Sequence, residues 1–279
     1  MLTSVEVADA NHVELALKHN VDILWVGART VVNPFSVQAI AEALTGVDVP
    51  VMVKNPLNPD LKLWLGAIER LNTIGINKLI AVHRGFHYFE KSPFRNAPMW
   101  EIPIELKRAV RGLPIIVDPS HICGNRDLLE SISQKALDLE MDGLMIESHH
   151  NPDAALTDSA QQISPQDLKE LLENLVIRNR KGDFDFQHKL EGLRTEIDKL
   201  DGELLQILSK RMEIIDEIGE YKRDHDITIL QMKRWAGIIR DRLSIGTHMG
   251  LDGIFLKKLL NLIHKESINR QENIFGKEE

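Results

Sequence analysis

The sequence predicts two folded parts of different class, a parallel α/β half built from (β/α) units and an all-helical half. Three observations carry that prediction. Short β-branched strands recur through the first half at a spacing of roughly 20 to 35 residues, each followed by an amphipathic stretch, as repeated (β/α) units require. The strands end abruptly in polar, chemistry-bearing residues. From Lys189 onward strands cease, and apolar residues recur at steps of three and four, the period of one helix face. The chain has 279 residues, room for about two domains at ~150 residues each.

Taken in order, the strands are expected at residues 4–7, 22–26, 49–53, 78–82, 114–117 and 143–146, with helices such as 36–44, 61–74 and 104–111 between them. The residues after the strands share a theme. Val26 is followed by Gly27-Ala28-Arg29-Thr30, Val53 by Lys54-Asn55 and Val82 by His83-Arg84-Gly85. The fifth strand runs into Asp118-Pro119-Ser120-His121 and the sixth into Glu147-Ser148-His149-His150, before a loop reaches Asp158. The helical stretch 125–138 joins the last two strands, so the two form a βαβ unit and their ends lie on one side of a parallel sheet. Three cations, Arg29, Lys54 and Arg84, then stand beside His121, Glu147 and Asp158. Taken singly, each of these groups is more often a helix cap, a loop residue or a surface ion pair. In series on the carboxyl ends of the strands, where (β/α) barrels carry their function, they point to a site. Imidazole and carboxylate ligands suit a divalent metal such as Mn, Fe or Zn. The cations suit a substrate bearing phosphate and carboxylate, since arginine offers a two-pronged fork and lysine a point charge.

Composition narrows the alternatives. The net charge of −8, without a basic tail, argues against an extended nucleic-acid or anionic-membrane surface, while local cationic pockets stay compatible with small anions. Apolar runs fall short of the ~20 residues a membrane helix needs, and the first residues do not form a signal peptide. A single cysteine, Cys123, precludes an internal disulfide and fits a reducing cytoplasm.

With these strand ends in place, a resemblance becomes specific. Gly27-Ala28-Arg29-Thr30, Val53-Lys54-Asn55, Arg84-Gly85, Val117-Asp118-Pro119-Ser120-His121, Ile146-Glu147-Ser148-His149 and Thr157-Asp158 resemble, in order, the later strand ends of the 3-deoxy-arabino-heptulosonate 7-phosphate (DAHP) synthases, over residues 1 to about 177. The resemblance implies a TIM-type (β/α)8 barrel in which Arg29, Lys54 and Arg84 hold phosphoenolpyruvate and His121, Glu147 and Asp158 hold a divalent metal. It also places His149 near the substrate as a proton relay, with erythrose 4-phosphate as the aldehyde partner. The family's Gly-Pro-Cys motif and its Lys-Pro-Arg-Thr-like loop do not occur, so the expected barrel is incomplete, lacking its first two strands. Cys123 does not stand in for the missing cysteine and is expected to be a buried thiol without a role.

Residues 165–177 read as the last barrel helix, capped by Ser164 with proline at its first position. The charged stretch 178–188 reads as a hinge, and residues 189–279 as the helical domain. There Leu190, Leu193, Ile197, Leu200, Leu204, Ile207, Ile214 and Ile218 mark one long amphipathic helix that needs a partner. Arg211 and Lys222, eleven residues or about three turns apart, share a face. Further helices are expected at about 230–243 and 251–272, the last carrying Ser267 and Gln271 one turn apart. Any one of these cations would more often be a snorkelling interface residue. Together, Leu193-Arg194, Leu208 to Arg211, Gly219 to Lys222, Arg234 and Ser267 to Gln271 resemble the all-helical chorismate mutases over residues 189 to about 275. That resemblance implies that Arg194, Arg211 and Arg234 grip the carboxylates of chorismate and that Lys222 and Gln271 face the ether oxygen of the breaking bond. Such catalysis by preorganised electrostatics requires no cofactor. It further implies an interlocked homodimer in which Arg194 serves the neighbouring subunit. Gln231 and Trp235 stand where the family often has acidic residues holding the substrate hydroxyl; Gln231 retains hydrogen-bonding ability and Trp235 departs. The combined expectation is a bifunctional enzyme of the shikimate pathway of aromatic amino-acid biosynthesis. The alternative is a catalytically dead barrel acting as scaffold for the mutase.

Overall fold

The computed structural model describes residues 1–89, 91–178, 184–230 and 232–276, and only the backbone of residues 232–234. It divides into two compact units, Met1–Asn179 and Arg180–Glu279.

The first unit is a six-stranded parallel sheet in sequential order, β1 (Ser4–Val7), β2 (Ile23–Val26), β3 (Val51–Lys54), β4 (Leu79–His83), β5 (Ile115–Val117) and β6 (Gly143–Leu144). Helices α1 (Ala10–Lys18), α2 (Ala28–Val31), α3 (Pro34–Ala43), α4 (Leu61–Thr73), α5 (Glu101–Ala109), α6 (Pro119–Cys123), α7 (Leu129–Asp138) and α8 (Pro165–Asn174) alternate with the strands, as in part of a TIM barrel. Register aligns Val7, Val26, Val53, Ala81 and Ile115 across five neighbouring strands. All five are fully buried, the near-continuous apolar character expected of a parallel sheet. The same register brings every strand's carboxyl end to one side, and that side carries the site. Trp64 of α4 locks the layer of helices to the sheet by donating from Nε1 to the Val53 carbonyl at 3.1 Å.

Local chemistry explains most helix boundaries. Asp9, Asn33, Asp60 and Ser164 each cap a helix with a side-chain oxygen, and Ser164 with Asp167 forms a complete capping box. Where the structure departs from expectation, a specific contact is responsible. The eighth helix ends at Asn174, short of Ile177, because Gln134 takes over the next backbone groups: its Oε1 accepts from Val176 N at 2.8 Å, and its Nε2 donates to Val176 O at 2.9 Å. α7 starts at Leu129 because the Asn125 side chain ties the preceding turn, accepting from Leu128 N.

The second unit consists of α9 (Phe184–Arg223), α10 (Met232–His248) and α11 (Gly253–Phe275). α9 begins at Phe184, so residues 184–188, read from sequence as hinge, belong to the helix; no proline or glycine interrupts them. Its 40 residues span about 60 Å. α11 runs parallel to its second half, through Arg211 to Ser267, Asp216 to Arg270, and Gly219 against Gln271 and Ile274. Leu193, Ile197, Leu200, Leu204 and Ile207, on the first half, remain about half exposed or more.

Candidate functional site

In the first unit a cleft of about 480 Å³ opens at the strand ends, lined among others by Arg29, Lys54, Arg84, His121, Glu147 and Asp158. Each side chain is delivered by a distinct local device. Arg29 sits on α2, which follows Gly27 directly, and the tip of Glu6 fills the space that a Cβ at Gly27 would occupy. Lys54 ends β3 and is 4% exposed; its Nζ lies 2.8 Å from Asp118 Oδ2 and 4.4 Å from the centre of the Trp25 ring. Asn55 stitches the ends of β3 and β4 together, accepting from Arg84 N at 2.6 Å and donating to Gly85 O at 2.8 Å. Arg84 is nearly buried and donates to Asn96 Oδ1 at 3.1 Å. Burial foremost, with the neighbouring charges of Arg95 and Arg29, draws the Arg84 guanidinium below its usual pKa, against the pull of Asp118 and Asp158.

His121 stands on the short helix α6. Its Nδ1 lies 2.8 Å from Asp118 Oδ2 and 3.4 Å from Glu147 Oε1. Glu147 is held by its own N–H donating to Ser120 Oγ at 2.9 Å and by Gln161 Nε2 donating to its Oε2 at 3.0 Å. Asp158 has a left-handed backbone (φ 52°) and accepts from Arg95 Nη1 at 2.7 Å. One possible ligand atom from each of His121, Glu147 and Asp158 lies within 4.8 Å of the others. One imidazole and two carboxylates at that separation fit a divalent cation of the Mn, Fe or Zn kind. The Asp118 carboxyl is pushed up by burial, but His121 and the Lys54 charge outweigh this and hold it at about 2.

In the second unit Arg211 Nη1 donates to Ser267 Oγ at 2.8 Å. Gln271 is 5% exposed and spends Nε2 on the Ser267 carbonyl, which leaves its Oε1 buried without a partner among the described residues. Lys222, one turn beyond Gly219, donates to the Ile229 carbonyl. Trp235 stacks face to face on His264 at 3.6 Å between ring centroids, and His264 lies one turn before Ser267. Burial, and then the charge of Arg211, lower the His264 pKa.

Residues 1–179 match the model of the DAHP synthetase I family. The chain belongs to that family. Residues 193–272 additionally match the model of chorismate mutase type II. Among curated relatives, the phospho-2-dehydro-3-deoxyheptonate aldolase of Thermotoga maritima is 32% identical over 55% of this chain and 44% of its own length. The T-protein of Haemophilus influenzae is 32% identical over 33% of this chain and 24% of its own. The 4-amino-4-deoxychorismate mutase of Streptomyces venezuelae is 31% identical over 33% of this chain and 89% of its own. The chain thus spans less than half the length of the first two. A solved structure described as a truncated form of the Thermotoga maritima 3-deoxy-D-arabino-heptulosonate 7-phosphate synthase superposes with a TM-score of 0.56 at 28% identity, covering 62% of this chain and 63% of that one.

Within this DAHP synthetase I domain the structure brings together six of the seven residues singled out from sequence. The seventh, His149, does not line the cleft: its ring lies on His150, and Nδ1 is engaged by the Asn151 backbone. His83, quoted at the end of the fourth strand, is fully buried among Trp64, Phe86 and Trp100. Cys123 is a buried thiol, pushed up to about 12 by burial and then by the Asp118 charge. In the region that matches chorismate mutase type II, Arg211, Ser267 and Gln271 converge. Arg194 is exposed on α9 and pairs only weakly with Glu191, at 3.7 Å. Gln231 lies outside the described residues, as does the Arg234 side chain.

Sequence reasoning missed Arg95, Gln161 and the role of Asp118. Arg95 comes from the loop after β4, where no strand end marks it, yet it is a fourth cation in the cleft and also donates to Gln161 Oε1 at 2.8 Å. The available signal was Gly124: at φ 67° its absent side chain makes room for Arg95, whose Cβ would lie 2.5 Å from a Cβ at that glycine.

Proposed function

We propose that the chain is bifunctional: the barrel half, residues 1–177, condenses phosphoenolpyruvate with erythrose 4-phosphate, and the helical half, residues 189–279, rearranges chorismate to prephenate. The observation that supports the first activity is the meeting of Arg29, Lys54 and Arg84 with a His-Glu-Asp cluster in one cleft. Lys54 is already balanced by Asp118, whereas the nearly buried Arg84 donates to the neutral Asn96, and desolvating such a cation is costly unless an anion offsets it. A barrel serving only as scaffold has no use for Arg84 gathered with Arg29 and Arg95 in one cleft, so the catalytic reading is the better supported.

In this reading the guanidinium forks of Arg29 and Arg84 and the ammonium of Lys54 clamp the phosphate and carboxylate of phosphoenolpyruvate and hold its C3 against the aldehyde carbon. Carbon–carbon bond formation at C3 is matched by addition of water at C2 and departure of inorganic phosphate. His121, Glu147 and Asp158 would hold the divalent metal, which when bound polarises the aldehyde carbonyl. Gln161 and Ser120 keep Glu147 in place, and Arg95 does the same for Asp158.

In the helical half, Arg211, with Arg234 and a partner copy's Arg194, would grip the two carboxylates of chorismate. Gln271 and Lys222 would stabilise the negative charge growing on the ether oxygen, and Ser267 orients Arg211. The unpartnered buried Oε1 of Gln271 supports a polar ligand there, because native proteins seldom leave such an atom unsatisfied. The half-exposed apolar stripe on the first half of α9 supports a homodimer formed through this domain. No helix among the described residues is long and apolar enough to cross a membrane, and a cytoplasmic setting follows from the small phosphorylated substrates proposed.

Two assays test the reading. Phosphate release from phosphoenolpyruvate that requires erythrose 4-phosphate, is abolished by EDTA and is restored by Mn supports the synthase; no release under any metal refutes it. Loss of at least hundredfold in chorismate turnover in Arg211→Ala supports the mutase site, and unchanged turnover refutes it.

A further inference from the structure

We propose that Asp118 is a positioning residue that uses one buried oxygen to hold both a phosphoenolpyruvate anchor, Lys54, and a metal ligand, His121. The inference rests on the synthase reading above and adds a residue to it. Asp118 is 1% exposed, and its two oxygens have separate work. Oδ1 caps α6, accepting from the His121 backbone N–H at 3.0 Å. Oδ2 lies 2.8 Å from Lys54 Nζ and 2.8 Å from His121 Nδ1. A helix cap needs only the first oxygen. The second is a buried negative charge shared by two groups that belong to different halves of the site.

Each half gains something definite. Lys54 has four flexible bonds, yet its ammonium is fixed between Asp118 Oδ2 and the face of Trp25, so an arriving phosphate meets a placed charge instead of a mobile one. The 2.8 Å approach of Oδ2 to His121 Nδ1 does not have hydrogen-bond geometry, so the carboxylate acts on the imidazole through its charge: it favours a proton on Nδ1, which leaves the lone pair on Nε2 for a cation. A carboxylate against the far side of a metal-binding histidine generally fixes its tautomer and orientation in this way. The aspartate arrives at this point because its backbone N–H donates to His83 O at 2.7 Å, which brings the end of β5 level with that of β4.

Asp118→Asn separates the two tasks. Asparagine caps helices as well as aspartate does, so α6 should survive, but the neutral amide cannot act on both neighbours as a charged oxygen does. Binding of Mn alone, followed by the spectroscopic signal of free Mn, is expected to weaken about 10- to 100-fold. Binding of phosphoenolpyruvate in EDTA, measured by calorimetry, is expected to weaken about tenfold in the same variant. Wild-type affinity in either titration overturns the proposal. A wild-type chain that binds neither Mn nor phosphoenolpyruvate overturns the synthase reading itself and the proposal with it. If Asp118→Asn does not fold, because Lys54 becomes an uncompensated buried cation, Lys54→Met and the double variant Lys54→Met/Asp118→Asn replace it: the second must bind Mn about tenfold more weakly than the first, and equal affinities overturn the proposal.

Discussion

Gly219→Ala is the sharpest test of how α9 and α11 build the proposed mutase site, because its effects on stability and on catalysis should part company. Gly219 is buried where the two helices touch. A Cβ there would lie 2.8 Å from Ile274 Cδ1, 3.2 Å from Gln271 Cγ and 3.5 Å from Gln271 Cα. The Ile274 tip can rotate away and the last contact is ordinary, so the cost falls on Gln271 Cγ, which must give by a few tenths of an ångström. Overpacking of this kind costs about 1–3 kcal/mol, here at the low end, while alanine in a helix interior returns about 1 kcal/mol over glycine. Net stability should therefore stay within about 1 kcal/mol of wild type. Catalysis has no such compensation. Misplacing a catalytic group by about 1 Å can cost about a hundredfold, so a shift of a few tenths should lower kcat/KM for chorismate about three- to tenfold. Steady-state chorismate consumption and urea unfolding of the same preparation measure the two quantities. Full activity together with a raised unfolding midpoint would show that the Gly219 contact does not place Gln271, and the argument would fail.

Other consequences follow from single residues. Burial holds the His83 imidazole down at about 3, so below pH 6.5 the unfolded chain takes up a proton that the folded one refuses, and stability is lost as pH falls from 6.5 towards 3. At pH 5 the loss should be about 2 kcal/mol in the barrel's unfolding transition and absent in His83→Phe; an equal pH slope in both proteins contradicts it. Asp118, whose carboxyl titrates only below its usual range, does not contribute at that pH. Gly124→Ala combines a left-handed backbone with a 2.5 Å approach to Arg95 Cβ and should destabilise the barrel by about 2–4 kcal/mol, read from its urea midpoint; a cost below about 1 kcal/mol would show that the 95–96 segment yields freely. Leu204→Glu, on the exposed stripe of α9, should convert a dimer to monomer in sedimentation velocity, and an unchanged dimer would move the interface elsewhere.

Local pattern alone was enough to read the architecture. Strands β1 to β5 follow from short, β-branched apolar runs that end in polar residues, and the long helix α9 from a period-3.6 repeat of apolar residues, because each run reports its own local environment. The strand-end residues Arg29, Lys54, Arg84, His121 and Glu147 were legible for the same reason, since a parallel sheet brings all carboxyl ends to one side whatever the connections do. Tertiary structure alone decided which oxygen of Asp118 faces Lys54, that Arg95 reaches Asp158 from a loop, that His149 turns towards Asn151, and that Gly219 faces Gln271. These contacts join residues as much as 64 positions apart, or hinge on one rotamer in a loop. No repeat encodes them, because they arise only when the sheet's register and the packing of two helices fix the distance between side chains that have no local reason to meet.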